Sequence, residues 1–508
     1  MAIILAAGAA ATAHASRTQE SIFQDDRLLL GDDSTRRASL DEIDGLGVDT
    51  IHTLLLWSRL APDANSARKP DGFDASNPAD YPAGAWGPLD ALVREASSRG
   101  LDVLVTPTGP GPVWASQCRG SRKRRRICNP DPDEFAAFVA AAAKRYSGSY
   151  VDQNASASQQ LPDLLPHDPG GATKTASTLP RVGRWSMWNE PDQGGWLYPQ
   201  QARKHGRTVY SAARRYRGLF AAGAAALRAN GHSGDQILLG ETAPIGRRTG
   251  SFAKRSTPPL DFYRAVFCID RRGRALRGAA RKLNGCTGFK GLSASGVSHH
   301  PYTAGAARAP LARVKSGDAT IASIGRLARV LDQAAKRHRF TANAPIYSTE
   351  FGFQTEPPDP IFGVSPTRQA DWLNQSDFIA FRNRRLRSVS QYELRDDPNL
   401  AVFNTGLRFS DGKTKPALQA YRTPIWVTRA GQSRVKVWGQ VRGAGAGRDV
   451  EIQNRRSSRA AFQTVASVTT GAKGYILVNV KKRPGRWRLR WTDGGNPVFS
   501  RKATVSRR

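Results

Sequence analysis

The residues best suited to bond-breaking chemistry in this chain are two glutamates in distinctive surroundings. Glu190 lies in Trp185-Ser186-Met187-Trp188-Asn189-Glu190-Pro191, and Glu350 in Tyr347-Ser348-Thr349-Glu350-Phe351-Gly352. Each follows a short β-rich run, so each is expected at a strand's C-terminal end, where a parallel barrel presents its functional groups. Two carboxyls so placed have complementary uses. One, held protonated, gives a proton to a leaving oxygen; the other, ionised, attacks or acts as base. Trp57, Glu241, His299-His300-Pro301-Tyr302 and Tyr392 stand at other expected strand ends. Plainer readings apply to several of these. Asn-Glu-Pro alone fits a capped turn opening a helix, Glu241 is either a supporting carboxylate or a ligand contact, and tryptophans belong as readily in a core. There is no Gly-x-Ser-x-Gly elbow for a serine nucleophile and no metal-ligand spacing, so neither metal nor cofactor is expected.

Such groups need a scaffold, and the sequence supplies one by alternating apolar runs with amphipathic stretches. A weak strand at Ile22-Phe23 and a helix over 35–46 precede a strong apolar strand over 50–57. Leu89, Leu92, Val93 and Ala96 fall on one helix face, Gly100 ends that helix, and 101–106 follows as a buried strand. Asp131, Pro132 and Glu134 read as the start of the next helix, with a D-x-x-E capping box and a stripe of Phe135, Phe138, Val139 and Ala142. Residues 153–178 are rich in Ser, Pro and Gly and read as a surface insertion. Further strands are expected over 182–188, 237–240, 297–299, 346–349 and 389–392. Helices follow near 205–229, 259–269, 319–337, 369–382 and 417–421. Eight strand-then-helix units imply an α/β chain folded as a (β/α)8 barrel over 16–425. Beyond Pro424, alternating runs over 435–441, 450–453, 462–468, 475–480 and 487–491 predict a small accessory β-sandwich over 426–508.

With those elements in place, the chain resembles the clan A glycoside hydrolases, cellulase-like (β/α)8 enzymes with catalytic glutamates on strands four and seven. Asn189-Glu190-Pro191 matches the acid/base motif and Thr349-Glu350-Phe351-Gly352 the nucleophile motif. Further matches are Gly47-Val48-Asp49-Thr50 leading to Trp57, Gly109-Pro110 through Trp114, His300-Pro301-Tyr302, and Gly406-Leu407 with Lys415-Pro416-Ala417. Together they cover roughly residues 20–425, and no single motif carries the likeness. The resemblance implies a retaining enzyme that hydrolyses O-glycosidic bonds of a poly- or oligosaccharide, with Glu190 as acid/base and Glu350 as nucleophile. It implies substrate contacts from Asn189, His300 and Tyr302, the last also orienting Glu350, and sugar stacking on Trp57, Trp196 or Tyr392. Retention calls for carboxyls about 5 to 5.5 Å apart. Glu190 then needs a raised pKa, expected from the indoles of Trp185 or Trp188 and from the Glu350 charge. One position departs from the pattern. His52 stands where many relatives carry an arginine that braces the nucleophile. Two other classes compete: a barrel that binds carbohydrate without turnover, and a basic envelope protein that binds polyanions.

The chain has 508 residues, 39% of them hydrophobic, which suffices for a large domain and a smaller one. Its formal charge of +34 is spread along the sequence without a recognition helix or aromatic RNA-binding motif, so no specific nucleic-acid partner is expected. The densest run, Arg122-Lys123-Arg124-Arg125-Arg126, reads as a solvated loop. Residues 1–15 read as the remnant of a secretory signal, with Ala13-His14-Ala15 as the cleavage pattern. Export agrees with four cysteines that bracket charged loops, pairing as Cys118–Cys128 and Cys268–Cys286. No later apolar run reaches membrane-spanning length, and a secreted monomer is expected.

Overall fold

Successive side chains of a strand point to opposite faces, and here odd and even residue numbers separate two environments. The strands β1 (Glu20–Gln24), β2 (Thr50–Leu56), β3 (Asp102–Thr108) and β4 (Arg184–Met187) open the fold. Their odd-numbered Phe23, Ile51, Leu55, Val103, Val105, Trp185 and Met187 join one continuous core with the surrounding helices. A hairpin of β5 (Ala202–Lys204) and β6 (Arg207–Val209) comes next. It is followed by β7 (Gln236–Thr242), β8 (Gly296–His299), β9 (Ile346–Ser348) and β10 (Ser388–Tyr392). The computed structural model describes residues 16–151, 178–247, 249–303, 308–400 and 402–506. The expected leader, and all but the last residue of the insertion expected at 153–178, lie outside them.

Sheet order is β10-β1-β2-β3-β4-β7-β8-β9, and neighbours pair in parallel. A parallel bridge from Ile346 to Leu386 and a Ser388 hydroxyl donating to the Ser348 carbonyl at 2.8 Å close the ring between β9 and β10. Inside it, Ile22, Leu104 and Leu238 pack with partly buried Tyr347 as a separate cluster. These four come from alternate strands, the layered filling that a (β/α)8 barrel requires. At the N-terminal end, Arg184 pairs with Glu20 at 2.5 Å and seals the floor.

Two local details differ from the sequence reading. Asp131 caps the helix Pro132–Arg145 by accepting from the N–H groups of Asp133 and Glu134, yet the reciprocal half of the box is missing. The Asp131 N–H already donates to the Ala115 carbonyl, and Glu134 reaches Lys69 at 2.8 Å instead. The helix expected from about residue 205 begins at Ser211, because His205 and Gly206 take positive φ and turn the β5–β6 hairpin.

Two four-stranded sheets complete the chain, in orders β15-β12-β11-β18 and β14-β13-β16-β17. The first holds β11 (Ile425–Arg429), β12 (Arg434–Gln440), β15 (Tyr475–Lys481) and β18 (Val505–Ser506). The second holds β13 (Asp449–Arg455), β14 (Gln463–Thr469), β16 (Arg486–Asp493) and β17 (Asn496–Phe499). Val427, Val437, Ile452, Trp487 and Leu489 fill the space between them. This all-β sandwich docks on the helix Pro366–Phe381, where Phe378 and Phe381 meet Trp438 and Tyr475. Buried Arg442 pairs with Asp377 at 2.9 Å, and Lys473 reaches Asp49 at 2.8 Å. Gly47 and Gly443 let the backbones touch: a Cβ on Gly47 would stand 2.2 Å from the Gly443 nitrogen. Gly47 and Asp49 precede β2, so the sandwich covers the floor side of the barrel.

Both disulfides form as the sequence suggested, Cys118–Cys128 and Cys268–Cys286. Arg217, itself buried, donates to the Ala265 and Asn284 carbonyls beside the second bridge. Among the described residues no helix is long and apolar enough to cross a membrane. The Cys268–Cys286 bridge closes a separation of 18 residues, for which chain entropy gives about 3 kcal/mol. Replacing both cysteines by serine is expected to lower unfolding free energy by that amount in urea titrations, with the fold retained.

Candidate active site

The end of β4 leaves strand geometry abruptly. Trp188 and Glu190 take φ of 72° and 39°, left-handed values that cost a non-glycine residue about 1 to 3 kcal/mol each. Neighbouring strands hold them there. The Trp188 N–H donates to the Pro107 carbonyl at 3.1 Å and the Glu190 N–H to the Glu241 carbonyl at 2.8 Å, while the Asn189 N–H donates to the Thr108 hydroxyl at 2.9 Å. The Trp188 ring is locked edge-on against Phe135. Glu190 is thereby turned into the mouth of the barrel. Glu350 arrives from the other side, where Thr349 N–H donates to the His299 carbonyl at 3.3 Å and Tyr392 N–H to the Phe351 carbonyl at 2.8 Å.

Between them lies His300, wholly buried just beyond β8. Its Nδ1 is 3.2 Å from Glu190 Oε1 and 3.4 Å from Glu350 Oε2. Tyr302 donates its hydroxyl to Glu350 Oε2 at 3.2 Å. A third carboxyl completes the group from behind. Glu241 Oε1 stands 3.2 Å from His52 Nε2 and its Oε2 is 3.5 Å from His300 Nε2. His52 therefore addresses Glu241, and contact with Glu350 comes instead from Tyr302 and His300.

Burial pushes the Glu350 carboxyl up to about 7; His300 opposes the push and the Glu190 charge adds to it. Glu350 is the deeper of the two side chains, at 13% exposure against 23% for Glu190. Burial pulls the His300 imidazole down, yet the carboxylates of Glu350, Glu190 and Glu241 together hold it well above its ordinary value.

Above these groups opens a cavity of about 710 Å³, within the range of small-molecule sites. Asn189, Glu190, Tyr302, Glu350, Tyr392 and Trp196 all line it. The Asn189 side-chain oxygen is buried there without a hydrogen-bond partner among the described residues. Two of the expected ligand contacts are elsewhere. Trp57 is wholly buried, stacked on Phe138 at 5.7 Å and edge-on to Trp114; it faces the helix layer as an odd-numbered strand-end residue does. His300 sits beneath the carboxyls with no exposed surface, so it meets Glu190 and Glu350 and not the cavity. The sequence reading missed Phe403, which packs between Tyr302 and Tyr392, and the apolar wall of Ile361, Phe362, Leu400 and Val402. These sit on loops without periodicity, where the sequence carries no signal. No cavity-lining residue comes from beyond Thr405, so the sandwich contributes none. Among the described residues no three His, Cys, Asp or Glu side chains are grouped to hold a metal ion.

No family model matches the sequence, and no curated protein matches it. Several solved structures are similar in outline. One is a β-glucuronidase of Bacteroides uniformis, 10% identical with a TM-score of 0.42, matched over 96% of this chain and 46% of that one. Another is a β-glucosidase from Exiguobacterium marinum, 14% identical, TM-score 0.42, over 76% and 84%. A third is GH5_18 from Streptomyces cattleya in complex with GlcNAc, 16% identical, TM-score 0.42, over 80% and 79%. The chain spans about half the length of the glucuronidase it matches. At these values the likeness carries no functional argument, which must come from the site.

The correction at Trp57 is testable. Trp57→Ala is expected to cost about 3 to 5 kcal/mol of stability, as for other buried aromatics. Trp57→Phe should lose less, since a ring is kept against Phe138; a Trp57→Ala protein that melts as the parent does would contradict the core placement.

Proposed function

We propose that this protein is a retaining glycoside hydrolase of the clan A kind, cleaving O-glycosidic bonds of a poly- or oligosaccharide by double displacement. One observation carries the reading: Glu190 and Glu350 converge on a single imidazole nitrogen at the base of one cavity. The two oxygens that touch it cannot be farther apart than its 3.2 and 3.4 Å contacts together allow. Retention works at about 5 to 5.5 Å between carboxyls and inversion at about 6.5 to 9.5 Å; that ceiling admits the first and leaves only the lower edge of the second, which supports direct attack over a water placed between.

In the first step Glu350 attacks the anomeric carbon while Glu190 protonates the departing oxygen, leaving a glycosyl ester on Glu350. In the second, Glu190 takes a proton from water, whose oxygen displaces Glu350 and releases the sugar. Asn189, with its unpartnered side-chain oxygen in the cavity wall, supports a contact to a sugar hydroxyl. Tyr392 and Trp196 supply aromatic faces for stacking. Two disulfides support an oxidising, extracellular setting. The rival readings, sugar binding without turnover or polyanion binding, predict no hydrolysis across a panel of aryl glycosides and polysaccharides.

The roles separate on mutation. Glu350→Ala is expected to remove turnover of every substrate. Glu190→Ala should spare the first step for aryl glycosides with very good leaving groups and slow the second, with added azide restoring that second step. Normal activity in Glu350→Ala would end the catalytic reading.

The pH dependence follows from the shared proton. Two ionised carboxylates this close repel, so the working form of the pair holds one proton. Burial pushes Glu350 up to about 7, so below this value the pair's one proton rests on Glu350 and passes to Glu190 as substrate binds; above it the proton is lost. kcat/KM is therefore expected to fall about tenfold per unit on the alkaline side of pH 7, and to peak below it. A flat profile from pH 6 to 9 would contradict the pairing.

A further inference from the structure

Glu241 is a carboxyl at the barrel's mouth that the proposed reaction leaves without a task, and burying an ionised carboxylate away from water is costly unless it is paired. Its placement depends on an irregularity. Alternation along β7 runs with Leu238 inward and Leu239 outward, which would send residue 241 outward too. At that place the strand shifts register against both neighbours, Gly240 takes φ of +124°, and Glu241 turns in. Only glycine fits at 240, since a Cβ there would lie 2.2 Å from the Ser298 carbonyl oxygen. Bulges of this kind re-aim side chains beside functional sites.

Inside, Glu241 Oε1 accepts from the Thr106 hydroxyl at 3.2 Å, which is also 3.0 Å from His52 Nε2; that nitrogen lies 3.2 Å from Glu241 Oε1, and Oε2 stands 3.5 Å from His300 Nε2, an ion-pair distance without hydrogen-bond geometry. Glu241, His52 and His300 are all wholly buried. The opposite nitrogen of His300 meets Glu190 and Glu350. We propose that Glu241 is a positioning residue: clamped by His52, it holds the His300 ring charged and aimed so that one N–H is shared between Glu190 and Glu350. Its kinetic consequence rests on the hydrolase reading above; the state of the His300 ring does not.

The groups that face His300 can be counted by element. The segment after β4 brings Glu190 and Asp192, β7 brings Glu241, the end of β9 brings Glu350, and its own segment adds His299 and Tyr302. His52 on β2 stands behind Glu241, with Asp26 acting on it from farther off. Burial pushes Asp192 well above its ordinary value; it also pushes Tyr302 up and draws His299 down to about 3, so these last two are uncharged at neutral pH. Besides Asp192, three carboxyls and two imidazoles remain. Burial pulls His52 down, and the charge and contact of Glu241 outweigh it only together with the charges of Glu350 and Asp26. Burial pushes Glu241 up, and His52 and His300 more than reverse that.

The sign of the effect on the pair is fixed by this arrangement. Both imidazolium charges favour ionised Glu350, and His300 is the strongest charged influence on it; the direct repulsion from Glu241 is weaker than either. Glu241→Gln removes the weak repulsion, the largest support of the His52 charge and one of the three carboxylates that support the His300 charge. The carboxyl pair then keeps its proton to higher pH, and the alkaline limb of kcat/KM moves up by about one unit. kcat is expected to fall roughly 10- to 100-fold with KM changed less than about threefold, because substrate contacts are intact while the reacting groups lose their alignment. Glu241→Asp keeps the charge, so its limb should return to the wild-type position.

The decisive measurement needs no substrate: imidazole ¹⁵N shifts of His52 and His300 at pH 7.5, assigned with His52→Asn and His300→Asn variants. Wild type and Glu241→Asp should show imidazolium shifts at His300, and Glu241→Gln a neutral ring. A neutral His300 in the wild-type protein overturns the proposal whether or not the variants fold. So does a charged His300 in Glu241→Gln, or a loss of kcat there with the alkaline limb unmoved. If no glycoside is hydrolysed but the ¹⁵N shifts behave as stated, the hydrolase reading fails and the role of Glu241 in holding His300 stands.

Discussion

Everything at the mouth of this barrel depends on compensating buried negative charge. Glu190 and Glu350 meet at the base of the cavity in front of wholly buried Glu241, and among the described residues lining the cavity there is no lysine or arginine. Three uncompensated carboxylates there would not stay ionised; they would take up protons and lose their chemistry. Two buried imidazoles answer that demand. Each lies within ion-pair distance of Glu241, and His300 also touches both carboxyls of the proposed reaction. Local structure is bent to make these contacts, with Trp188 and Glu190 held at positive φ and a bulge at Gly240. Strain of this kind persists where surrounding packing over-determines it, and here the Trp188 ring against Phe135 and the backbone bonds to Pro107 and Glu241 do so.

The two ends of the barrel divide the tasks of stability and chemistry. On the floor side, Arg184 with Glu20 seals the interior, and the sandwich docks through Trp438, Tyr475 and the Arg442–Asp377 pair. On the mouth side, loops carry the cavity wall, and they are braced from behind by buried charge: Lys415 pairs with Asp396 at 2.7 Å and donates to the Thr355 hydroxyl at 2.8 Å. That contact joins the loop after β9 to the loop after β10, the two that present Ile361, Phe362, Leu400 and Val402 to the cavity. A rigid floor and braced loops let the mouth keep an open, partly apolar wall without loosening the barrel.

The sequence was most informative where periodicity speaks. Eight apolar runs with helices between them gave the barrel in the right order, and the alternation after Pro424 gave the sandwich. Three of its strands escaped: β11 abuts the preceding helix, and β17 and β18 are short, β17 containing Pro497. Cysteine proximity gave both disulfides. Motif spacing put Glu190, Glu350, His300 and Tyr302 in one place, but could not say which face each side chain takes. Trp57 went to the core because the position after an odd-numbered run faces the helices, and His300 went beneath the carboxyls. The depth at which Glu350 is buried is a tertiary property with no counterpart in spacing. Nor does any pattern announce that Gly240 carries a bulge; a lone glycine in a strand is compatible with several uses.

A histidine at position 52 puts the site under a different kind of control from the one a guanidinium there would give. A guanidinium is charged at every pH a protein meets and forks across a carboxylate with several donors. An imidazole carries its charge only while a partner keeps it protonated, and offers one donor at each end. With arginine the brace on the nucleophile is a fixed property of the site. His52 touches Glu241 and not Glu350, and its charge depends in large part on Glu241, which burial would push up were it not for His52 and His300. The three groups thus hold one another in their working states. Such a closed set is stable as a unit and fails as a unit, because losing one charge releases the others. A fold that adopts this arrangement gives up the robustness of a permanent cation and acquires a site whose charge is set cooperatively, within the pH range where imidazole and buried carboxyl titrate together.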